Sequence, residues 1–245
     1  MTSQSIPDAL AAAHVDDAVF VLRPDYRALL LTVHGLVPGD SNDHSDALLQ
    51  KAETAAREAL QDTPVEQLPH VAAWREAYRA FGAKPQRTRN SVEALLRRAT
   101  DGLPRVNRLT DIYNAISVLH QLPIGGEDLD RYTGAPRLIR AAGEESFETT
   151  AQGTSVIERP DPGEVVWCDA AGVTCRRWNW RQAQRTQLRS DTTTALFILD
   201  ALEPVTDAAL NAAADDLTVQ LRLLGPDIDI NARIIEPDAP ESEGH

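Results

Sequence analysis

The spacing of apolar residues switches between helical and extended along this chain, and the switching constrains its fold more than any single motif. Apolar side chains recur three and four residues apart in segments that predict helices: 46–62, 69–82, 91–99, from Thr110 or Asp111 to before Pro123, and 206–224. Short β-branched or apolar runs predict strands: two within 18–37, then 137–141, 164–168, 173–178, 195–199 and 228–235. These elements lack the regular strand–helix succession of a doubly wound sheet. The sequence therefore predicts an α+β fold of mixed β-sheets packed with helices.

Turn and capping residues predict where several elements begin and end. Pro24–Asp25 divides residues 18–37 into two strands, and 169–172 joins two later strands as a hairpin. Asn90, with Glu93 three residues later, resembles a capping box at the start of a helix. Gly125–Gly126 predicts a turn.

The length of 245 residues allows one large domain or two small ones. With 42% hydrophobic and 25% charged residues, the chain has enough apolar surface to bury a core. We predict that N-terminal strands and a helix in residues 1–70 pack on the core, and that residues 71–235 form the main domain. Residues 236–245 are rich in acidic residues and proline, and they predict a disordered tail.

Composition excludes several classes of protein. No apolar run approaches the roughly 18 residues of a membrane helix, and residues 1–10 lack the pattern of a signal peptide. We therefore expect a cytoplasmic protein without a membrane partner. Cys168 and Cys175 are too few for a disulfide framework and are not spaced as a CxxC pair. We expect no metal and no cofactor.

Charge is distributed unevenly along the chain. The net charge is −13, but residues 1–70 carry −7 and residues 201–245 carry −8, which leaves +2 on the segment between them. Nearly all the basic residues are arginines, with Lys51 and Lys84 the only lysines. Arginine binds carboxylates and phosphates in a bidentate manner and stacks on planar groups. The central segment is thus where we expect an anionic ligand to bind, although a general preference for arginine codons would also explain the low lysine content.

The usual catalytic signatures are absent. The sequence contains no GxSxG, GxxxxGK[ST], HExxH or GxGxxG motif, and its six histidines are scattered. Asn107, Asp111 and Asn114 recur at helical spacing, so they lie on one face of a predicted helix. They serve either as helix caps and hydrogen-bonding partners or as part of a polar site.

Arginines and tryptophans alternate between Arg176 and Arg181. On a strand, Arg177, Asn179 and Arg181 would face one side, and Arg176, Trp178 and Trp180 the other. Guanidinium groups beside indoles are suited to stacking on bases and to binding phosphate. The alternative is an exposed arginine face backed by tryptophans in the core.

Six motifs occur in a recognisable order between Leu103 and Leu202. They are Pro104 with Asn107, Asp111 with Tyr113–Asn114, Pro123–Gly126 with Asp128, Arg140–Ala141 with Glu144 or Glu145, Thr186, and Ile198–Ala201. In this order they resemble the B3/B4 tRNA-binding domain, the editing domain of the phenylalanyl-tRNA synthetase beta subunit, in a free-standing version. The resemblance covers about 100 residues strongly and about 30 upstream residues weakly.

The resemblance implies a fold like that editing domain and an activity that hydrolyses the ester bond of mischarged tRNA. By position, Tyr113 and Asn114 would line the aminoacyl pocket, and Asp200 would stand where the family has a glutamate. Gly125 stands where the family has histidine, and the run from Trp178 through Asn179 to Arg181 replaces a glycine-rich turn. These departures imply a differently shaped pocket, so tyrosine is not supported as the rejected amino acid.

The resemblance also suggests roles in catalysis. We expect catalysis by Asn114, Asp200 and Glu144, with Asp200 or Glu144 orienting water or holding the substrate ammonium. Orientation and polar stabilisation can suffice because the aminoacyl ester is already reactive. Arg140, Arg177 and Arg181 would face the phosphates of the tRNA acceptor end.

Three functions follow as hypotheses. The first is a trans-acting deacylase of mischarged tRNA, whose partner is aminoacylated tRNA, bound transiently, and for which we expect no DNA partner. The second is a module that binds tRNA or an amino acid and has lost hydrolysis. The third is a hydrolase of small amino-acid esters whose arginines bind a carboxylate.

Overall fold

A computed structural model describes residues 6–151 and 153–238 of the chain. Its helices are α1 (Ile6–Ala11), α2 (Asp17–Leu22), α3 (Asp43–Ala59), α4 (Pro69–Ala80), α5 (Ser91–Ala99), α6 (Arg108–His120) and α7 (Asp207–Leu221). Its strands are β1 (His14–Val15), β2 (Arg27–His34), β3 (Ile124–Asp128), β4 (Arg137–Arg140), β5 (Phe147–Ala151), β6 (Thr154–Glu158), β7 (Val165–Asp169), β8 (Gly172–Arg176), β9 (Arg181–Gln182), β10 (Thr194–Ala201) and β11 (Asp229–Ile235). Short 3₁₀ turns lie at Val65–Gln67, Leu129–Arg131 and Arg222–Leu224. The predicted α+β class is confirmed.

A four-stranded antiparallel sheet runs through the middle of the protein in the order β11-β2-β10-β3. Both faces of β2 and β10 are buried, so their sequences are almost continuously apolar. On one face Leu31, Phe197 and Leu199 pack with apolar residues of α6 and α7. The other face, which carries Leu30 and Ile198, turns toward a second sheet.

The second sheet has five strands in the order β1-β4-β7-β8-β9. Its inner face contributes Leu138, Val165 and Trp167 to the core shared with β2 and β10. Its outer face packs against Phe147 of the β5–β6 hairpin through Val166 and Val173. Helices α3, α5 and α6 form a further apolar cluster. The two sheets thus face each other, with helices α5 and α6 beside one end of the space between them.

The first of the two strands predicted in residues 18–37 is wrong, because Asp17–Leu22 forms helix α2. Asp17 lies in the first turn, where its charge favours the helix dipole, and Val21 is 85% exposed. The preference of valine for strands does not decide the structure here, because that preference depends on packing and only Val19 is buried. The second predicted strand is confirmed as β2.

The turn predicted at Gly125–Gly126 is also wrong, because both glycines lie inside β3. A Cβ on Gly126 would come within 3.0 Å of Leu188, Phe197 and Tyr113, so glycine is required there for close packing. A Cβ on Gly125 would have no atom within 4 Å. The pair therefore combines a tightly packed position with an open one.

Several boundaries differ from those predicted. The cap of α6 is Asn107 rather than Thr110 or Asp111, because its side chain accepts a hydrogen bond from the backbone N–H of Thr110 over 2.8 Å. The β5–β6 hairpin was not predicted at all. The predicted hairpin at 169–172 is confirmed, with Asp169 paired to Gly172 between β7 and β8.

The described residues include no helix that is both long and apolar enough to cross a membrane. Strand β2, from the predicted N-terminal segment 1–70, lies between β11 and β10 and so inside the sheet. Residues 236–238 of the predicted tail have no regular structure, and residues 239–245 lie outside the described part.

Candidate active site

A cavity of about 500 Å³ opens between the two sheets, and helices α5 and α6 border it. Its floor is the inner face of β3 and β10. In their antiparallel register Gly125 pairs with Ile198, and Glu127 pairs with Leu196. Asp200 is two residues beyond Ile198 and therefore lies on the same face. Asp200, Ile198, Gly125 and Glu127 all line the cavity.

The opposite wall comes from β7, β8 and the turn that follows β8. Trp167, Cys175, Trp178 and Asn179 line the cavity from this side. The indole N–H groups of Trp167 and Trp178 make no hydrogen bond of good geometry with the described residues, although both side chains are buried. The indole of Trp167 lies near Asp200, and that of Trp178 lies near Tyr26. The N–H of Trp167 can therefore also serve a ligand that binds beside Asp200.

The turn after β8 replaces the regular strand alternation that was predicted through Arg181. Arg177 and Trp178 have φ values of 48° and 68°, in the left-handed region that is costly for residues other than glycine. As a result Trp178 is fully buried, while Asn179 lines the cavity and Arg177 packs over the ring of Trp180 at 4.6 Å. The predicted separation into two faces is therefore wrong.

Arg176 was predicted on the same face as the two tryptophans, but it directly precedes this turn and binds Glu164 instead. Its guanidinium donates two hydrogen bonds of 2.8 Å to the buried carboxylate of Glu164. Such a bidentate pair fixes both side chains. We infer that it supports the strained turn rather than a ligand.

Helix α6 contributes Tyr113 and Asn114 to the cavity. The polar residues of its predicted face divide into two roles. Asn107 caps the helix, and Asp111 accepts hydrogen bonds from the backbone N–H of Val106 and the hydroxyl of Ser45. Only Asn114 remains for the cavity, so the capping interpretation and the site interpretation each hold for part of the set.

Asp200 is 2% exposed and receives two hydrogen bonds from neutral donors. The hydroxyl of Tyr26 donates to Oδ1 over 2.6 Å, and Nδ2 of Asn179 donates to Oδ2 over 3.2 Å. Burial raises the pKa of Asp200 to about 7, although these hydrogen bonds act in the opposite direction. A carboxyl group with this pKa can take up and release a proton near neutral pH.

Glu127 is a second buried acid in the cavity, and it is 1% exposed. The hydroxyl of Tyr132 donates to its Oε2 over 2.6 Å. Burial raises the pKa of this carboxyl above its ordinary value. Sequence reasoning missed Glu127, and the available signal was an acidic residue two positions after Gly125, directly before Asp128.

Arginines surround the mouth of the cavity. The residues concerned are Arg87, Arg89, Arg97, Arg98 and Arg181. Arg89 and Arg97 approach the carboxylate of Glu93, whose backbone N–H is capped by Asn90. Arg87 and Arg98 are exposed and form no ion pair with the described residues. The mouth is therefore cationic, whereas the floor is acidic.

The structure brings most of the predicted site residues together. Those that line the cavity are Tyr113, Asn114, Gly125, Trp178, Asn179, Arg181 and Asp200. Arg177 lies beside it, over Trp180, and its charge is shared with Glu164. The arginines of α5 and of the loop before it were not among the predicted site residues, because a helix with regular apolar spacing gives no sign of what lies beside it.

Besides Arg177, two more predicted site residues do not line the cavity. Arg140 donates from Nε to the carbonyl oxygen of Gly163 over 2.7 Å, and Glu144 is exposed in the loop after β4. The neighbouring Glu145 accepts hydrogen bonds from three backbone N–H groups of that loop. Glu145 thus stabilises the loop, and neither Arg140 nor Glu144 reaches the acids of the floor.

Across residues 6–151 and 153–238, no group of three or more His, Cys, Asp or Glu side chains could hold a metal ion. Cys168 and Cys175 are free and buried, and burial raises the pKa of both thiols. The side chains that line the cavity include carboxyl, amide and guanidinium groups.

The fold defines an α+β protein with a cavity between two sheets. Residues 73–218, more than half of the chain, match the B3/4 domain family. The chain belongs to this family, which confirms the resemblance seen in its motifs.

Solved structures similar to this chain include an N-terminal fragment of the phenylalanyl-tRNA synthetase beta subunit from Pyrococcus horikoshii. The two share 13% sequence identity with a TM-score of 0.46, and the match covers 88% of this chain and 49% of the fragment. The chain thus spans about half the length of that fragment. A comparison with curated protein sequences finds no match.

Proposed function

We propose that this B3/4 protein is a trans-acting deacylase that hydrolyses the ester bond of mischarged tRNA. The observation that carries the proposal is that Asn114 and Asp200 line the same cavity, and that arginines surround its mouth. The cavity volume of about 500 Å³ is in the range of small-ligand sites. It therefore has room for an aminoacyl group.

The mouth supplies the contacts for the end of the tRNA. Arg87 and Arg98 attract phosphates, and Trp180 offers an indole on which a terminal base can stack. Arg177 packs over this indole and holds it in place. The net charge of −13 opposes binding of RNA elsewhere on the protein, so the complex with aminoacylated tRNA is transient. Such an enzyme would act in the cytoplasm, where tRNA is charged.

The floor supplies the chemistry. A water molecule beside Asp200, in the open space next to Gly125, attacks the ester carbonyl carbon and gives a proton to the Asp200 carboxylate. The amide of Asn114 donates a hydrogen bond to the carbonyl oxygen as negative charge develops there. The bond between this carbon and the ribose oxygen then breaks, and the proton on Asp200 passes to that oxygen. The products are a free amino acid and uncharged tRNA.

The test is deacylation of a panel of mischarged tRNAs by the purified protein. We expect at least one aminoacyl-tRNA to be hydrolysed, and Asp200→Asn to slow that reaction by about 100-fold or more, as removal of a general base does. Asn114→Ala should slow it as well. Glu76→Gln serves as the matched control, because Glu76 is an exposed acid on α4 outside the cavity. Equal rates in Asp200→Asn and wild type would refute the mechanism.

A second candidate function is a binding module without catalysis. It is favoured by Gly125, which stands where the related editing domains have histidine. The same panel separates the two functions, since binding of charged tRNA without turnover would support the module. Cleavage of amino-acid esters at a rate indifferent to the tRNA would instead support a hydrolase of small esters.

A further inference from the structure

The cavity contains two buried acids without a cationic partner. Asp111, outside the cavity, also lacks one, but it accepts hydrogen bonds from a backbone N–H group and a hydroxyl. Three other buried acids each pair with an arginine over 2.8 Å: Glu93 with Arg75, Glu164 with Arg176, and Asp169 with Arg185. Among the described residues, no basic group lies within 4.0 Å of the carboxylate of Glu127 or Asp200. Both receive hydrogen bonds from neutral donors.

Burying a carboxylate without a counter-charge is costly, and buried charges in proteins are normally paired. A ligand that carries a positive charge into the cavity would remove this cost. A neutral ligand would leave the carboxylate unpaired or the carboxyl group protonated, and would gain no pairing of charges. The acids therefore favour a cationic ligand over a neutral one of the same shape.

The register of the strands shows where the charge would lie. Glu127 pairs with Leu196, so it lies four residues from Asp200 along the sheet, or about 13 Å between Cα atoms. Gly125 and Ile198 occupy the floor between the two acids. Because Gly125 has no side chain and a Cβ there would meet no atom within 4 Å, the path from one acid to the other is open.

We propose that Glu127 binds the positively charged end of a long aminoacyl side chain, of the lysine or arginine class, while the ester lies beside Asp200. This inference rests on the proposed function and narrows its substrate class. Glu127 acts as a specificity-determining residue here, because it contacts the end of the side chain rather than the reacting atoms. The open floor at Gly125 is what lets an extended side chain pass.

The test uses two stable analogues in which the aminoacyl group is joined to 3′-amino-3′-deoxyadenosine through an amide bond. One carries a lysyl group and the other a norleucyl group, which has nearly the same shape without the charge. Isothermal titration calorimetry measures both dissociation constants for the full-length protein. We expect the lysyl analogue to bind at least about ten-fold more tightly, the equivalent of one charge-assisted contact.

The variant Glu127→Gln should reduce this preference to near unity and retain the affinity for the norleucyl analogue, which shows that the cavity is intact. Glu76→Gln should leave the preference unchanged. Equal binding of the two analogues by the wild-type protein would overturn the inference, and so would a preference that persists in Glu127→Gln. If both analogues bind equally, only the inference fails. If neither binds, the proposed function fails with it.

Discussion

The hydroxyl of Tyr26 donates a hydrogen bond of 2.6 Å to Oδ1 of Asp200, and so joins the start of β2 to the end of β10. Tyr26 is fully buried, with its ring centroid 4.9 Å from that of Trp178. Its position is therefore fixed by packing as well as by the hydrogen bond. Tyr26 orients the acid on which the proposed hydrolysis depends, although it does not itself line the cavity.

Deacylation should depend on pH through Asp200. Because the carboxylate form accepts the proton of water, the rate should rise with pH through the pKa of about 7 and then level off. The measurement is single-turnover deacylation between pH 5.5 and 8.5, corrected for the spontaneous hydrolysis of the ester. The residual rate of Asp200→Asn should lack this rise. A wild-type rate that is flat across this range would contradict the assignment of Asp200 as the base.

Tyr26→Phe should move this dependence toward higher pH. Burial raises the pKa of Asp200, and the hydrogen bond from Tyr26 partly offsets this effect. Loss of the hydrogen bond should therefore raise the pKa further. We also expect a loss of about 1 kcal/mol in the free energy of unfolding. The check is the midpoint of the pH–rate profile relative to wild type. An unchanged midpoint, with stability lowered, would mean that Tyr26 has only a structural role.

The stability of the protein should fall as the pH falls because of His70. Its ring accepts hydrogen bonds at Nε2 from the indole N–H of Trp74 and the backbone N–H of Leu202, and donates from Nδ1 to the carbonyl oxygen of Gln121. Burial lowers the pKa of His70 from 6.5 to about 4. The unfolded chain binds the proton more readily, so stability that is present above pH 6.5 is lost progressively as the pH falls toward 4.

This loss amounts to about 3 kcal/mol for the one residue, since each pKa unit corresponds to about 1.4 kcal/mol. About 2 kcal/mol of it falls between pH 7.0 and 5.0, and urea unfolding at pH 7.0, 6.0 and 5.0 measures this part. The variant His70→Gln should be less stable at pH 7.0 but should show a shallower decline toward pH 5.0. Parallel curves for variant and wild type would show that His70 does not carry the pH dependence.

The two glycines of β3 should respond differently to alanine. Gly126→Ala should cost about 1–3 kcal/mol, because its Cβ would lie within 3.0 Å of three side chains. Gly125→Ala should leave stability within about 0.5 kcal/mol, because its Cβ enters open space. Urea unfolding compares them. A loss in Gly125→Ala as large as that in Gly126→Ala would show that the floor of the cavity is not open.

Binding of the tRNA end should depend on salt through the arginines of the mouth. Arg87→Ala and Arg98→Ala should each weaken binding of an acceptor-stem minihelix and reduce the slope of log affinity against log salt by about one. Arg57→Ala is the control, since Arg57 is exposed on α3 and does not line the cavity. Fluorescence anisotropy at several salt concentrations measures the slopes. If Arg87→Ala and Arg98→Ala show the same slope as Arg57→Ala, the RNA does not bind at the mouth of the cavity.

The sequence predicted the elements whose pattern is set locally. The helices from α3 to α7 and the central strands β2, β7, β8 and β10 follow from apolar spacing and turn residues. The ordered motifs led to Asn114 and Asp200, which line the same cavity. These residues could be identified because they belong to a recognisable pattern rather than because of their individual chemistry.

The features of the fold and site that the sequence did not predict depend on contacts between distant segments. Glu127 was not predicted as a site residue because the two glycines before it resemble a turn. They lie in a strand because Gly126 packs closely against Phe197. The turn at Arg177 and Trp178 has left-handed backbone angles that neither residue favours by itself. The hydrogen bond from Tyr26 to Asp200 spans 174 positions, and no local pattern indicates it.

The placement of β2 between β11 and β10 affects how this protein can be divided. The match to the B3/4 family begins at residue 73, after both Tyr26 and His70. A fragment cut at that boundary would lose the strand that β10 pairs along its whole length, together with the phenol that touches Asp200. Transferring the cavity to another protein would thus require the preceding segment as well.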